Sequence, residues 1–270
     1  MKKVLSILVI FTLFSCAETK PTEVAATGSA DWSSYQKILD IGIKKTSYTG
    51  KYGDFEHNAF DYQALIKHSE FKTLISQQKE NLKNATAPEN RFEKLAFWIN
   101  AYNFFTIVDV TAEFPVDSMK DIGWKNERHT VGGKKYSLDH IEHKILRPMG
   151  EPKIHFAINC ASVSCPSLYD KVFEGKTVGA TLKMLTEAAF KNPLHIRPDD
   201  DEVDVTKLMD WFEEDFEVRP FKSAEGFLKR YAPKELQKEI DGYISYNWNI
   251  NNAENIAKAM KELDVKVKEN

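Results

Sequence analysis

Hydrophobic positions along this chain repeat mostly at helical spacing, with short alternating runs between the helical stretches. From Trp32 to Lys45, the residues Trp32, Tyr35, Ile38, Leu39 and Ile41 fall on one side of a partly amphipathic helix. A Gly-containing turn follows, then helices over Tyr62–Ser69 and Glu70–Asn84, the second with a Lys-rich exposed end. Pro88-Glu89-Asn90 punctuates the chain before its strongest pattern, Arg91–Glu113. There Phe92, Leu95, Ala96, Ile99, Tyr102, Ile107 and Val110 keep helical spacing, while Phe97, Trp98, Phe104 and Phe105 widen the apolar face. A helix apolar nearly all round predicts a central, buried element. Asn100 and Asn103 are anomalous inside it, because buried amides need partners.

Beyond Pro115, Val131–Tyr136 reads as a hairpin turning on Gly132-Gly133, and Ser137 caps a helix over Leu138–Leu146 that Arg147-Pro148 stops. Ile154–Asn159 is an apolar run that reads as a buried strand, followed by an ordered loop of small residues. Val178–Phe190, Leu208–Phe216 and Ala224–Tyr231 read as helices. Leu194-His195-Ile196, Val203-Asp204-Val205 and Ile240–Trp248 read as strands, and Glu254–Lys268 as a charged helix. Helices dominate over scattered strands. The fold class is α+β: a mainly helical single domain over residues 31–250 with a central buried helix and a small antiparallel sheet, followed by a charged C-terminal helix over 251–270.

The start of the chain has a different character. Met1-Lys2-Lys3 and the apolar run Val4–Phe14 have the length of a secretory signal and are too short to span a bilayer. Leu13-Phe14-Ser15-Cys16 resembles a lipoprotein cleavage box, with Phe14 where a small residue is usual. The expectation is a signal peptide over residues 1–16, a diacylated Cys16 and a polar tether over 17–30. The mature protein would then be lipid-anchored at a bacterial cell envelope, facing the periplasm or the exterior, with the membrane as its first partner. A net charge of −3 argues against nucleic acid as another, since that needs a basic stripe. The run Asp199-Asp200-Asp201-Glu202 lacks the alternating spacing of a calcium loop and reads as a solvated turn.

The chemistry concentrates in Ile154-His155-Phe156-Ala157-Ile158-Asn159-Cys160-Ala161-Ser162-Val163-Ser164-Cys165-Pro166, which carries both cysteines outside the leader. Three readings compete. Cys160 and Cys165, exported, are close enough to pair as a disulfide that fixes the loop. Alternatively, Cys160 is a nucleophile, with His143 or His155 as its imidazole, Glu142 or an asparagine as orienter, and amides of Ala161–Ser164 facing an oxyanion. The third reading is metal, zinc being the natural ion for His143, His155 and Cys160, although no cofactor is required. Cys-x4-Cys is not a redox Cys-x-x-Cys motif and has no second cysteine pair for a structural zinc. Cys165, followed by Pro166, suits a supporting thiol.

Three blocks together resemble the family called domain of unknown function 547: Phe97-Trp98-Ile99-Asn100-Ala101-Tyr102-Asn103, Ser137–Arg147 with its Ile141-Glu142-His143, and His155–Pro166. Trp211–Phe216 is a weaker echo of the same family. The resemblance implies a shared fold and a shared polar centre but no particular reaction. Some members resemble fusions with glutaredoxin-like modules, which hints at thiol chemistry. His140 falls where the family often has an acid, so His143 carries more weight. Trp98, Asn100, Asn103, Glu142, His143, His155, Asn159, Cys160 and Cys165 are expected to converge, since buried polar groups must satisfy one another. Two functions stay open: a cysteine/histidine-dependent hydrolase or thiol enzyme, and a non-catalytic binding or scaffold module with a structural Cys160–Cys165 pair.

Overall fold

A computed structural model describes residues 30–51 and 53–268. Cys16, the leader and the tether up to residue 29 lie outside them. No helix among the described residues is long and apolar enough to cross a membrane.

The first helix, α1 (Ser33–Gly42), ends three residues before its periodicity predicts, and the chain enters a hairpin of β1 (Ile43–Gly50) and β2 (Gly53–Phe60). At Gly42 a Cβ would run into the Phe60 ring, so the close approach requires glycine. Thr46, Tyr48 and Thr49 beyond it favour an extended chain. Next come α2 (Tyr62–Lys67), α3 (Phe71–Asn84) and the central α4 (Arg91–Glu113). The Asn90 side chain accepts from the Phe92 and Glu93 N–H groups at 2.9 and 3.3 Å and starts α4 as a good N-cap does. Every residue from Leu95 to Val110 is buried. The predicted all-round burial holds.

The hairpin of β3 (His129–Val131) and β4 (Lys134–Tyr136) turns on Gly132 and Gly133 at φ +55° and +75°, which demands glycine. Ser137 then accepts from the His140 N–H at 3.0 Å to start α5 (Leu138–His140), which widens into a π turn over Ile141–Leu146. Ile154–Asn159 is not the strand its composition predicts: Pro152–Phe156 is a 3-10 turn. Pro152 sits in its first turn, where proline is tolerated, and Glu151 accepts from the Lys153 N–H at 3.3 Å. The run is apolar because two cores enclose it. Ile154, Ala157 and Ile158 pack into the core around α4, while Phe156 enters a second core with Phe190, Phe216 and Phe227.

α6 (Val178–Ala189) leads to β5 (Ile196–Asp199) and β6 (Glu202–Thr206), joined at the acidic turn as expected. The helix predicted over Leu208–Phe216 breaks at Phe212 into α7 (Leu208–Trp211) and α8 (Glu213–Phe216). α9 (Ala224–Tyr231) and β7 (Glu239–Ile244) follow. The tail forms α10 (Ala253–Glu262), after which β8 (Lys266–Val267) pairs with β1. The fold is α+β and mainly helical, with the buried α4 at its centre. Among the described residues the strands form three small sheets rather than one, antiparallel except for the parallel β6–β7 pair.

Candidate functional site

A cavity of about 300 Å³ opens where the two cores meet. Glu142, His143, His155, Cys160 and Cys165 all line it, so five of the nine residues expected to converge do so. The π turn accounts for two of them. Its wider winding lets the neighbours Glu142 and His143 both reach the cavity, and such turns are frequent at functional sites. The rest of the wall is aromatic and apolar, including Trp124, Trp211, Phe212, Tyr246 and Trp248, with Lys120 Nζ 5.2 Å from the Trp248 ring centre.

Asn103 and Asn159 stand behind the wall. Asn103 donates to the Ala157 carbonyl at 3.0 Å and accepts from the Asn159 N–H at 2.7 Å, clamping the chain on the way to Cys160. The Asn159 side chain donates to the Pro166 carbonyl at 2.6 Å and accepts from the Ala161 N–H at 2.8 Å, closing the loop. Each such bond contributes about 1 kcal/mol net, and leaving either buried partner bare costs more. Asn100 uses the same two-way clamp elsewhere, on both backbone groups of Phe173 at 2.8 and 2.9 Å. Trp98 packs edge-on against Phe97 and Tyr136, and its indole N–H is buried without a partner. Neither Asn100 nor Trp98 lines the cavity. On a helix buried on every side, polar residues of one motif serve different neighbours.

Cys160 and Cys165 are free thiols, not a disulfide. The Cys160 backbone N–H donates to Cys165 Sγ at 2.8 Å, which folds the Cys160–Cys165 loop around the second sulfur. Cys160 Sγ lies 3.0 Å from Ser162 Oγ and 3.2 Å from Tyr246 Oη, and Ser162 Oγ donates to Tyr246 Oη at 3.0 Å. Burial alone would push the Cys160 thiol up. Hydrogen bonding with Cys165, Ser162 and Tyr246 outweighs it and brings Cys160 down to about 7. Burial drives Cys165 the other way, well above the usual thiol range. Ala161, next to Cys160, holds the left-handed φ of 62°, a strain of roughly 1–2 kcal/mol that the Asn159 side chain sustains.

Glu142 is buried and accepts from the Tyr102 hydroxyl at 2.9 Å. Burial pushes its carboxyl up to about 7; the Tyr102 hydrogen bond works against this, and the nearby Cys160 charge adds to it. The two charges oppose each other, so the pair favours one anion and one proton over two anions.

The imidazoles are held from behind. His155 Nε2 lies 2.7 Å from Asp215 Oδ2, and Phe212 stacks on its ring at 4.2 Å and 14°. A carboxylate only accepts, so neutral His155 carries its proton on Nε2 and leaves Nδ1 as the basic atom. Arg147 grips Asp215 with Nε at 2.6 Å and Nη2 at 3.1 Å, and places Nη1 3.0 Å from His143 Nδ1. A guanidinium only donates, so neutral His143 carries its proton on Nε2. Burial lowers both histidines, and for His155 the Asp215 carboxylate opposes it. Burial would raise Asp215, but His155 and Arg147 hold it below the usual carboxylate range.

Two parts of the sequence reading change here. No imidazole is a hydrogen-bond partner of Cys160 among the described residues; its sulfur is held by hydroxyls, a thiol and a backbone N–H. The amides of the small-residue loop are also committed: Ala161 N–H to Asn159, Val163 N–H to the Asn249 carbonyl at 2.8 Å, Ser164 N–H to the Asn247 carbonyl at 3.2 Å. The chain coming back past Trp248 has claimed them. Toward a metal ion the two rings differ: Asp215 braces His155 through Nε2 and leaves Nδ1 open, as a carboxylate does behind a metal-bound histidine, whereas Arg147 faces His143 Nδ1 and leaves the proton of that ring on Nε2. Among the described residues, no group of three or more His, Cys, Asp or Glu is arranged to hold a metal ion.

Residues 87–188 match the family described as "Protein of unknown function, DUF547". The DUF547 segment holds all three sequence blocks, from Phe97 to Pro166, and with them Glu142, His143, His155 and both site cysteines. It stops before Asp215 and Tyr246, which the fold brings to the same centre. No curated protein and no solved structure shows a detectable similarity to the chain. Asp215 and Tyr246 were missed as site residues. The Trp211–Phe216 block was a signal for the first, whereas a tyrosine in a strand-like run gave none for the second.

Proposed function

We propose that this protein is a cysteine-dependent enzyme of acyl transfer or hydrolysis, with Cys160 as its nucleophile. The observation that carries the reading is the sulfur's surroundings: the Tyr246 hydroxyl, a second thiol and a backbone N–H converge on one Sγ at the wall of an aromatic cavity. Such donors stabilise a thiolate, the reactive form of cysteine. The thiolate attacks a carbonyl carbon; the S–C bond forms and the C=O π pair moves to oxygen. Protonated Glu142 supplies the proton as the leaving group departs with its bonding pair. His155, oriented by Asp215 with Nδ1 as its basic atom, draws a proton from the water that then hydrolyses the thioester.

Iodoacetamide labelling of the intact protein across pH tests the nucleophile. Half-maximal labelling of Cys160 is expected at about pH 7, with the signal lost in Cys160→Ala. Labelling that rises only above pH 8.5, as for a free cysteine, overturns the reading and favours a non-catalytic binding or scaffold module. The leader supports an exported form anchored by lipid on Cys16. Cys16→Ser should then leave the membrane fraction, and retention without detergent contradicts an anchor.

A further inference from the structure

We infer that Tyr246 is the oxyanion donor of this site, so that the substrate class is an ester, thioester or amide whose carbonyl oxygen lies against the Tyr246 hydroxyl. The inference rests on Cys160 being the nucleophile, as proposed above. Acyl transfer develops a negative charge on the former carbonyl oxygen, and a site that speeds it needs a donor aimed at that position. Loop amides often supply one, and here all but one are committed elsewhere. From Asn159 to Cys165 six backbone N–H groups have acceptors other than the Cys160 sulfur: Asn159 to Asn103, Cys160 to Cys165 Sγ, Ala161 to Asn159, Val163 to Asn249, Ser164 to Asn247 and Cys165 to Ser162. The Ser162 N–H alone faces the Cys160 sulfur.

The side-chain donor free to follow the charge is Tyr246. Its hydroxyl is 3.2 Å from Cys160 Sγ, and it accepts from Ser162 Oγ at 3.0 Å, which leaves its own proton directed at the sulfur. When Sγ bonds to a carbonyl carbon, the sulfur loses its negative charge. The new oxyanion, one bond beyond that carbon, falls within hydrogen-bond reach of a hydroxyl ~3 Å from the sulfur. The same O–H thus serves the thiolate first and the oxyanion next, with little motion. Its ring packs against both Trp211 and Trp248, with centres 4.9 and 4.5 Å away, so the donor is preorganised. Burial keeps the phenol well above its ordinary range, hence protonated at working pH.

Two reactions of the same sulfur separate this role from simple thiolate stabilisation. Alkylation by iodoacetamide makes no oxyanion, whereas acylation by p-nitrophenyl acetate does, expelling p-nitrophenolate with the bonding pair. The ratio of the two rates at one pH cancels the thiolate fraction. In Tyr246→Phe this ratio is expected to fall by about tenfold or more. An unchanged ratio in folded Tyr246→Phe overturns the inference. Should that variant fail to fold by circular dichroism, full-length protein carrying 3-fluorotyrosine, a stronger donor, replaces it. A raised ratio then supports the inference, and an unaltered one overturns it. If wild-type Cys160 resists iodoacetamide near neutral pH, the nucleophile reading itself has failed, a result distinct from either.

Discussion

Two clusters of nearly the same build sit in this molecule. In one, His129 Nε2 lies 3.0 Å from Asp109 Oδ2, Arg128 Nε is 3.2 Å from Asp109 Oδ1, and the imidazole stacks on Phe105 at 4.2 Å and 16°. In the other, His155, Asp215, Arg147 and Phe212 repeat the arrangement, with stacking at 4.2 Å and 14°. Asp109 is shut away, its side chain 3% exposed against 18% for Asp215. The first cluster takes no part in the site cavity; the second lines it through His155 and Phe212, and reaches His143 through Arg147. A carboxylate and an arginine around a stacked imidazole are therefore a general way to satisfy a buried histidine. The motif alone says nothing of catalysis. What distinguishes His155 is that it shares a cavity with Cys160.

Breaking the enclosed cluster should give the largest effect on stability. Asp109→Ala strands His129 and Arg128 without their carboxylate, and losing one partner of a buried pair costs about 3–5 kcal/mol. Urea unfolding should show that loss, while Cys160 in the folded fraction keeps its alkylation rate. A slowed rate would mean that the two clusters are coupled.

How much of this was legible in the sequence depended on how local the cause was. α4 emerged at its predicted bounds, Arg91–Glu113, because spacing, an Asn cap and all-round apolarity agree there. The hairpin at Gly132-Gly133 was equally local. The Cys160 segment misled, because a run buried in two cores looks like a strand whether or not it makes a ladder. The β1–β2 hairpin was lost for the opposite reason: Ile41 and the residues before it carried a helical phase past the contact between Gly42 and Phe60, which is remote in sequence. In the site, Glu142, His143, His155 and both cysteines were readable as one group. Asn100 and Trp98 were assigned to it wrongly, since a sequence block does not say which side of a buried helix each residue serves. Asp215 and Tyr246 reach it only through tertiary folding.

Acid sharpens the contrast by acting on buried histidines that lack a carboxylate. His195 is fully buried with both ring nitrogens unpartnered, and the Nδ1 of buried His57 lies 3.1 Å from Asn192 Nδ2. Burial pulls His57 down to about 4 and His195 to about 3. In the unfolded chain both titrate at about 6.5. Between those values the unfolded state binds protons that the folded state refuses, so stability falls as pH drops below about 6.5. The loss should be on the order of 2–4 kcal/mol by pH 5. Urea midpoints at pH 7 and pH 5 read it, and His195→Leu should remove about half of the difference. An undiminished difference in that variant assigns the acid sensitivity elsewhere.

The smallest expected change in stability is also the most pointed test of the comparison. Asp215→Asn keeps the shape of the side chain and an oxygen for Arg147, at a site less enclosed than Asp109, so about 1–2 kcal/mol should be lost. Its chemical effect should be larger. An amide in place of the carboxylate no longer fixes the proton on His155 Nε2, nor supports the imidazolium that forms when Nδ1 takes a proton from water. Cys160 does not touch Asp215, so iodoacetamide should alkylate the variant at nearly the wild-type rate. After acylation with p-nitrophenyl acetate, however, hydrolysis of the S-acetyl group should slow by about tenfold or more. That split, with alkylation retained and deacylation lost, belongs to an imidazole acting as a base. Equal deacylation in wild type and variant would place His155 beside His129, as a histidine whose aspartate only settles its burial.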